Sequence, residues 1–256
     1  MQINTLAKNS IIEQLKKEFK EREFFSRVEL LGFYRQFEPN LKETTFRWNI
    51  HYLKINKIIT PVSRELFTLV FKPHFEPEIG KTEKSISTKI EKQFSGVRQC
   101  IWSTKAVNEF MLHIPGKFIT ILQVEKGALE PVYEFLKAQK IQDVFILPNK
   151  KEIERYVYET ESAIILQPLI SKAPTQKVNM VTTTTIEKMI VDLFCDKNLF
   201  SAFQGSELVH IVNNAHKRYS IDYTKLVGYA KRRRKADNLL EFLSEKTGFP
   251  KNILYD

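Results

Sequence analysis

Cysteine is scarce in this chain, and its scarcity excludes two kinds of scaffold. Only two cysteines occur among the 256 residues, Cys100 and Cys195. They are too far apart to indicate a zinc-binding pair, and each stands beside apolar residues. A disulfide framework and a zinc module are therefore excluded, and we expect both cysteines to be reduced residues of the protein interior.

Long apolar runs are also missing. No stretch of the sequence approaches the roughly 18 apolar residues that a membrane span requires. Residues 1–5 lack the charged and then apolar pattern of a signal peptide. We therefore expect a cytoplasmic protein with no membrane partner.

The common catalytic motifs are absent as well. The sequence contains no P-loop, no G-x-G-x-x-G and no G-x-S-x-G. Its five histidines are scattered, and His210 and His216 are six residues apart, which is off the i, i+4 spacing of helical metal ligands. Gly205-Ser206 resembles the start of a nucleotidyltransferase site, but no Asp-x-Asp pair follows it. We predict no metal and no cofactor.

One strand end resembles a metal-dependent nuclease site but lacks the residue pattern that such a site requires. Such sites place an acid and then an acid-x-lysine at the end of a strand. Here Gln123 occupies the acid position, and Glu125 and Lys126 are adjacent, so they would point to opposite faces of a strand. Glu109 is the remaining upstream carboxylate. The sequence therefore predicts that the chain is not an enzyme.

Charge is present in excess and unevenly distributed. The formal net charge is +10, and two basic ends flank a nearly neutral middle. Positive charge of this size favours polyphosphate partners through counterion release, although many basic proteins bind nothing in particular.

Residues 26–71 have the order of a winged helix-turn-helix. A short helical segment precedes a break at residues 38–40, a second helix spans residues 42–54, and two apolar runs follow at residues 57–62 and 66–71. This arrangement lays one helix along a DNA major groove. We therefore predict that operator DNA is a partner.

The second helix of this motif has two distinct faces. Phe46, Ile50 and Leu53 fall on one stripe at 100° per residue, and this stripe must pack on the other helices. The predicted DNA-binding residues lie elsewhere on the helix and in the wing, where they can contact bases or phosphates. They are Lys42, Thr44, Thr45, Arg47, Trp48, His51, Lys54 and Arg64.

Two of these residues have alternative interpretations. Trp48 can reach the groove, or it can pack on the helix that precedes the break at residues 38–40 or on a partner subunit. Arg64 lies between the wing strands, where an arginine can enter a minor groove or bind phosphate. Residues 62–65 lack the glycine that many wing tips carry, so the sequence leaves the geometry of the tip open.

The rest of the chain alternates between extended and helical patterns before it becomes helical. Strands are expected at residues 98–103, 117–124, 143–147 and 163–167, with helices at 104–113, 129–139 and 150–158 between them. After Pro174 the chain is expected to be helical to its end, with Thr184 and Glu187 forming a capping box. The predicted fold class is α+β, with a winged helix-turn-helix at residues 1–74, a linker at 75–82, and an α/β domain with a helical C-terminal part at 83–256.

A second basic patch follows within the helical part. It comprises Lys231, Arg232, Arg234 and Lys235, which we interpret either as a surface for DNA or antitoxin function or as a solvated helix end. Arg233 instead continues the apolar stripe of Tyr223, Leu226 and Ala230. A buried arginine needs a carboxylate or carbonyl partner, and Asp192 or Glu187 is the predicted one.

Several segments resemble the AbiEi family of type IV antitoxins, and together they cover most of the chain. They are Thr45-Phe46-Arg47-Trp48-Asn49-Ile50-His51-Tyr52-Leu53-Lys54 with Ile58-Ile59, Cys100-Ile101-Trp102-Ser103-Thr104 with Asn108-Glu109-Phe110, Thr185-Ile186-Glu187-Lys188-Met189-Ile190-Val191-Asp192-Leu193, Gln204-Gly205-Ser206-Glu207-Leu208 and Tyr229-Ala230-Lys231-Arg232-Arg233. The missing wing glycine is a departure from the family pattern.

The resemblance implies a transcriptional autorepressor of a two-gene operon. It further implies that an AbiEii-like nucleotidyltransferase toxin is the functional partner, and that the C-terminal domain counteracts this toxin, often without a stable complex. The residues alone indicate only a cytosolic two-domain DNA-binding protein. Two alternatives stay open: a one-component regulator, which would need a ligand pocket in residues 83–256, and a DNA-acting enzyme, which would need carboxylates clustered around Glu109 and Glu125.

Overall fold

A computed structural model describes residues 2–249 of the chain, with side chains from residue 9 onward. The fold is of mixed α/β class. The chain divides into two compact units: the first comprises residues 1–74 and 218–224, and the second comprises residues 75–217 and 225–250, beside a terminal segment outside the described residues. Residues 75–82, suggested above as a linker, group with the second unit, and Phe75 and Pro77 are buried.

The first unit combines helices with a small antiparallel sheet. Its elements are α1 (Gln2–Glu18), β1 (Phe25–Ser26), α2 (Arg27–Arg35), α3 (Glu43–Ile55), β2 (Thr60–Pro61) and β3 (Leu66–Thr68). The sheet order is β1-β3-β2. Its core contains Leu15, Phe19, Leu30, Phe33, Phe46 and Phe67.

Local hydrogen bonds determine where helix α2 begins. The Ser26 hydroxyl accepts a hydrogen bond from the backbone N–H of Glu29 at 3.1 Å, and the Glu29 carboxylate accepts one from the N–H of Ser26 at 2.7 Å. This reciprocal capping box satisfies two N–H groups that a helix start otherwise leaves unpaired. The first helix begins at Gln2, so Asn9 and Ser10, whose side chains are typical of helix caps, lie inside α1.

Two backbone hydrogen bonds and one between a backbone N–H and a side-chain hydroxyl join residues 218–224 to the rest of the first unit. The N–H of Tyr223 donates to the carbonyl of Val62 at 3.1 Å, and the N–H of Ser220 donates to that of Pro73 at 2.9 Å. The N–H of Arg64 donates to the Thr224 hydroxyl at 3.1 Å. A segment distant in sequence therefore supports the β2–β3 hairpin.

The second unit is built on a four-stranded mixed sheet of order β4-β5-β7-β6. Its elements are α4 (Lys81–Gln93), β4 (Gln99–Ser103), β5 (Thr120–Val124), α5 (Leu129–Ala138), β6 (Val144–Ile146), α6 (Lys150–Glu152), β7 (Ile164–Pro168), β8 (Thr175–Val178), β9 (Val181–Thr184), α7 (Ile186–Cys195), α8 (Ser206–Arg218), α9 (Tyr223–Arg232) and α10 (Ala236–Lys246). The last residue of α8 and the first two residues of α9 group with the first unit. The β5, β7 and β6 strands are parallel, and β4 is antiparallel. A π-helical turn, Ile153–Val157, continues α6.

The two faces of this sheet carry different side chains because residues alternate along a strand. One face holds Ile101, Leu122 and Leu166, which pack with the apolar residues of α4 and α5. Cys100, Gln123 and Gln167 are paired across the strands and lie on the opposite face, where α7 packs. The sheet is therefore covered by helices on both faces.

Three predictions about local structure were wrong in detail. Residues 104–110 form a 3₁₀ helix rather than the α-helix expected at 104–113. The chain after Pro174 is not helical at once, because β8 and β9 form a hairpin through Asn179 and Met180, which both have positive φ. Thr185, not Thr184, is the N-cap of α7, because Thr184 is the last residue of β9.

Candidate nucleic-acid interface

Helix α3 has the two faces that its sequence predicts. Phe46, Ile50 and Leu53 are buried in the core of the first unit, so the predicted stripe is confirmed. Thr44, Arg47, Trp48 and His51 are exposed, as are Lys42 and Thr45 at the start of the helix. The arrangement leaves one polar helical surface available to a partner.

An arginine–glutamate–arginine cluster lies at the first turn of α3. Arg27 of α2 donates to the Glu43 carboxylate and stacks its guanidinium 4.9 Å from the centre of the Phe46 ring. Arg47 Nε donates to the same carboxylate oxygen at 3.1 Å. These hydrogen bonds, the one from Arg27 first, hold the pKa of Glu43 below its ordinary value.

Arg47 is the more exposed partner in this cluster: its side chain is 74% exposed, whereas that of Arg27 is 25% exposed. Because solvent screens exposed ion pairs strongly, Arg47 can exchange Glu43 for another anion at little cost. Glu43 would still be neutralised by Arg27 after that exchange. Arg47 is therefore the guanidinium of this surface that can most readily move to a phosphate or a guanine.

Trp48 projects from the same face. It is 71% exposed, and its ring meets the His51 ring edge-on with centroids 5.8 Å apart. Of the alternatives above, packing of Trp48 on the preceding helix, α2, is therefore wrong. Contact with a groove or with a partner subunit remains a hypothesis.

Lys54 differs from the residues with which it was grouped. Its ammonium lies 5.2 Å from the centre of the Phe67 ring in β3, and burial lowers its pKa from the ordinary value. A cation over an aromatic face is attracted by the ring quadrupole. Lys54 therefore stabilises the contact between α3 and the hairpin.

The tip of the β2–β3 hairpin forms a turn that contains no glycine. None of residues 62–65 has a positive φ among the described residues. The N–H groups of Val62 and Ser63 both donate to the Leu66 carbonyl, at 2.9 and 3.3 Å. This turn needs no glycine, and it leaves the Arg64 side chain 86% exposed.

The second basic patch does not form one continuous surface element. Lys231 and Arg232 are exposed in the last turn of α9. Arg234 follows with a φ of 55°, so the chain reverses there. Lys235 precedes α10 and lines a cavity of the second unit.

Arg233 is partly buried beside carboxylates, which confirms the prediction of a carboxylate partner and identifies it. Its guanidinium donates to Asp192 at 3.3 Å and to Asp196 at 2.6 Å, and its side chain is 15% exposed. Burial alone would lower its pKa, but the charges of Asp196 and Asp192 outweigh burial and raise it. The same burial raises the pKa of Asp196.

These residues belong to a larger group that we call the buried ion network, comprising Gln123, Lys188, Asp192, Asp196, Tyr229 and Arg233. Lys188 is fully buried and donates to Asp192 at 2.5 Å. The Tyr229 hydroxyl donates to the other Asp192 oxygen at 2.8 Å, and Gln123 of β5 accepts from Lys188. The network joins α7, α9 and the sheet.

Sequence reasoning missed Lys188 and Gln123. The sequence did contain a signal for them: in the largely apolar helix α7, Lys188 is followed four residues later by Asp192, a spacing that places both side chains on one face of the helix. Three of the segments quoted for the family resemblance meet here: Cys100–Thr104 next to the network, Thr185–Leu193 and Tyr229–Arg233 within it. Lys188 and Asp192 are almost completely buried, so their side chains contact the other members of the network rather than solvent.

The strand end tested as a nuclease site holds an ion pair instead. Glu125 accepts hydrogen bonds from Arg98 Nε at 2.8 Å and from the Arg98 backbone N–H at 3.2 Å. These two hydrogen bonds, the side-chain one first, lower the pKa of Glu125. No group of three or more metal-ligating side chains occurs within the described residues. Likewise, no helix in the described part of the chain is long and apolar enough to cross a membrane.

Comparison with known proteins places the chain in one family. Residues 45–248 match the family described as "Family of unknown function (DUF6577)", and the chain belongs to it. No curated protein matches the chain. The matched region begins inside α3 and extends through the second unit.

Proposed function

We propose that the first unit is a winged helix that binds a specific duplex DNA through α3. One observation carries the proposal: the apolar stripe of α3 is buried while Thr44, Arg47, Trp48 and His51 share its exposed side. Helices supported in this way read base edges in a major groove. The β2–β3 hairpin corresponds to the wing, and Arg64 is the residue at its tip that would contact the DNA backbone or minor groove.

The charge distribution supports this proposal. The chain carries a formal net charge of +10, which favours association with a polyanion. Arg47 is the residue that we expect to read sequence, because its guanidinium, once it leaves Glu43, would match the O6 and N7 acceptors of guanine.

The test is a binding titration of the full chain against the DNA upstream of its own gene. Arg47→Ala should weaken specific binding by roughly 1–3 kcal/mol and relax the sequence preference. Arg35→Ala removes the same charge from an exposed position at the end of α2 and serves as the matched control, which should lower affinity for all duplexes equally and slightly. Equal affinities of wild type and Arg47→Ala for this DNA at fixed salt would refute the proposed contact.

We further propose that the protein acts as an AbiEi-like antitoxin and represses its own operon. The support is the resemblance of five segments to that family. The partner would be an AbiEii-like nucleotidyltransferase encoded by the adjacent gene, and the second unit would counteract it. Co-expression of the two genes tests this: the chain should restore growth that the toxin alone arrests, and continued arrest would contradict the proposal.

A further inference from the structure

A cavity of about 490 Å³ opens in the second unit at one end of its sheet. Asn149, which follows β6, and Gln167, near the end of β7, are both in its wall. These strands are neighbours and parallel, so their carboxyl ends lie side by side. In open α/β sheets, ligands bind in the crevice outside the carboxyl ends of the strands.

The cavity wall is positively charged. Lys150, Lys197 and Lys235 all line it, and Asp196 is the only carboxylate among its lining residues. Asp196 accepts from Arg233 at 2.6 Å, so its charge is already neutralised. Lys150 is paired with Glu154 at 3.7 Å, so Lys197 and Lys235, from two separate segments, are the lysines of this wall that have no carboxylate within ion-pair distance among the described residues.

The remaining wall is suited to an organic group. Phe194 and Ile153 supply apolar surface, while Asn149, Gln167 and Asn238 supply amides. Small-molecule sites typically have volumes of roughly 300–1,000 Å³ and combine apolar walls with a few polar groups. The cavity is thus large enough for a mononucleotide.

A strained residue immediately precedes this wall. Leu147 has a φ of 45°, a left-handed conformation that leucine seldom adopts. Its N–H donates to the Leu166 carbonyl of β7 at 3.0 Å, which holds it in place. Strain of this kind persists where the surrounding structure imposes it, and it occurs frequently at ligand sites.

We infer that this cavity binds a phosphorylated small molecule of mononucleotide size, with its phosphates at Lys150, Lys197 and Lys235. The residues that line it all belong to the second unit. The inference therefore does not rest on the proposed DNA binding, and either can fail alone.

The experiment is isothermal titration calorimetry of the full chain with separate probes: the four ribonucleoside triphosphates, pyrophosphate, adenosine and a short single-stranded oligonucleotide. At least one triphosphate should bind, pyrophosphate should bind more weakly, and adenosine should give no measurable heat. Lys197→Gln combined with Lys235→Gln should weaken triphosphate binding by about tenfold or more, because two charge-assisted hydrogen bonds are lost.

Lys84→Gln combined with Lys92→Gln is the matched control, since both lysines are exposed on α4, which packs on the other face of the sheet. This variant should bind as the wild type does, and both double variants should melt at the wild-type temperature. Three results would overturn the inference: no triphosphate binds, the cavity variant binds as tightly as the control, or adenosine binds as tightly as the triphosphates. Binding of a short single-stranded oligonucleotide alone would also overturn it and would assign the lysines to nucleic acid.

Discussion

Replacing Arg233 by alanine tests the buried ion network most directly. In the wild type, Lys188 and Arg233 carry two positive charges that balance the two carboxylates Asp192 and Asp196. The variant would leave one negative charge in excess. Removing one member of a fully buried pair costs roughly 3–5 kcal/mol because the remaining charge is uncompensated.

Two features of the structure reduce that cost. Asp192 keeps its contacts with Lys188 and the Tyr229 hydroxyl, and the Asp196 side chain is 26% exposed, so water reaches it. We therefore expect a loss of about 2–3 kcal/mol in the free energy of unfolding. At roughly 2–4 °C per kcal/mol for a unit of this size, the melting temperature should fall by about 4–12 °C.

The pH dependence of this loss has a definite sign. Without Arg233, burial and the nearby charge of Asp192 keep the folded-state pKa of Asp196 above its ordinary value of 3.8, and Lys188 is the cation that still opposes the shift. A carboxyl with a raised folded pKa destabilises the folded state at high pH and loses that effect as pH falls and the group protonates. The deficit of Arg233→Ala should therefore be largest near neutral pH and smaller toward about pH 5.

Thermal melts at these two pH values provide the assay, with Arg232→Ala as the control. Arg232 is the adjacent residue and is exposed, so its replacement should change stability by about 0.5 kcal/mol or less. Adding Asp196→Asn to Arg233→Ala should recover part of the loss, because it removes the stranded charge. The reasoning is refuted if Arg233→Ala melts like Arg232→Ala near neutral pH.

Three further predictions concern the two cysteines, the backbone at Gly205 and the absence of nuclease activity. Burial raises the thiol pKa of both Cys100 and Cys195 to about 11, so iodoacetamide at mildly alkaline pH should label them slowly in the folded protein and rapidly in denaturant; fast labelling of the native chain would contradict this. Gly205 has a φ of 66°, so Gly205→Ala should lower the free energy of unfolding by about 1 kcal/mol in a denaturant titration, and an unchanged midpoint would count against that backbone requirement. We also expect no magnesium-dependent cleavage of DNA or RNA by the chain, and cleavage that disappears in Glu125→Ala would show the opposite.

Periodicity predicted the elements whose packing is one-sided. The α3 stripe and the burial of Tyr223, Leu226 and Ala230 agree with the structure, because an amphipathic helix has one orientation that buries its apolar face. The need of a buried guanidinium for a carboxylate likewise led to Asp192. These inferences depended on local spacing or on one strong electrostatic requirement.

Other features depend on contacts between distant residues and could not be predicted in this way. Thr175–Val178 and Val181–Thr184 form a hairpin whose turn includes Met180 at positive φ, a conformation that methionine does not signal. The cavity is assembled from Lys150, Lys197 and Lys235, which are far apart in sequence. Only the arrangement of the strands brings such residues together, and no spacing rule encodes it.

The attachment of residues 218–224 to the hairpin has a consequence for synthesis of the protein. The Arg64 N–H and the Thr224 hydroxyl that accepts from it are 160 positions apart. At a translation rate of roughly 5–20 residues per second, the later residue is made on the order of ten to thirty seconds after the earlier one. The hairpin tip therefore waits until residues 218–224 have left the ribosome, and a polypeptide that has not reached them lacks this support for the Arg64 backbone.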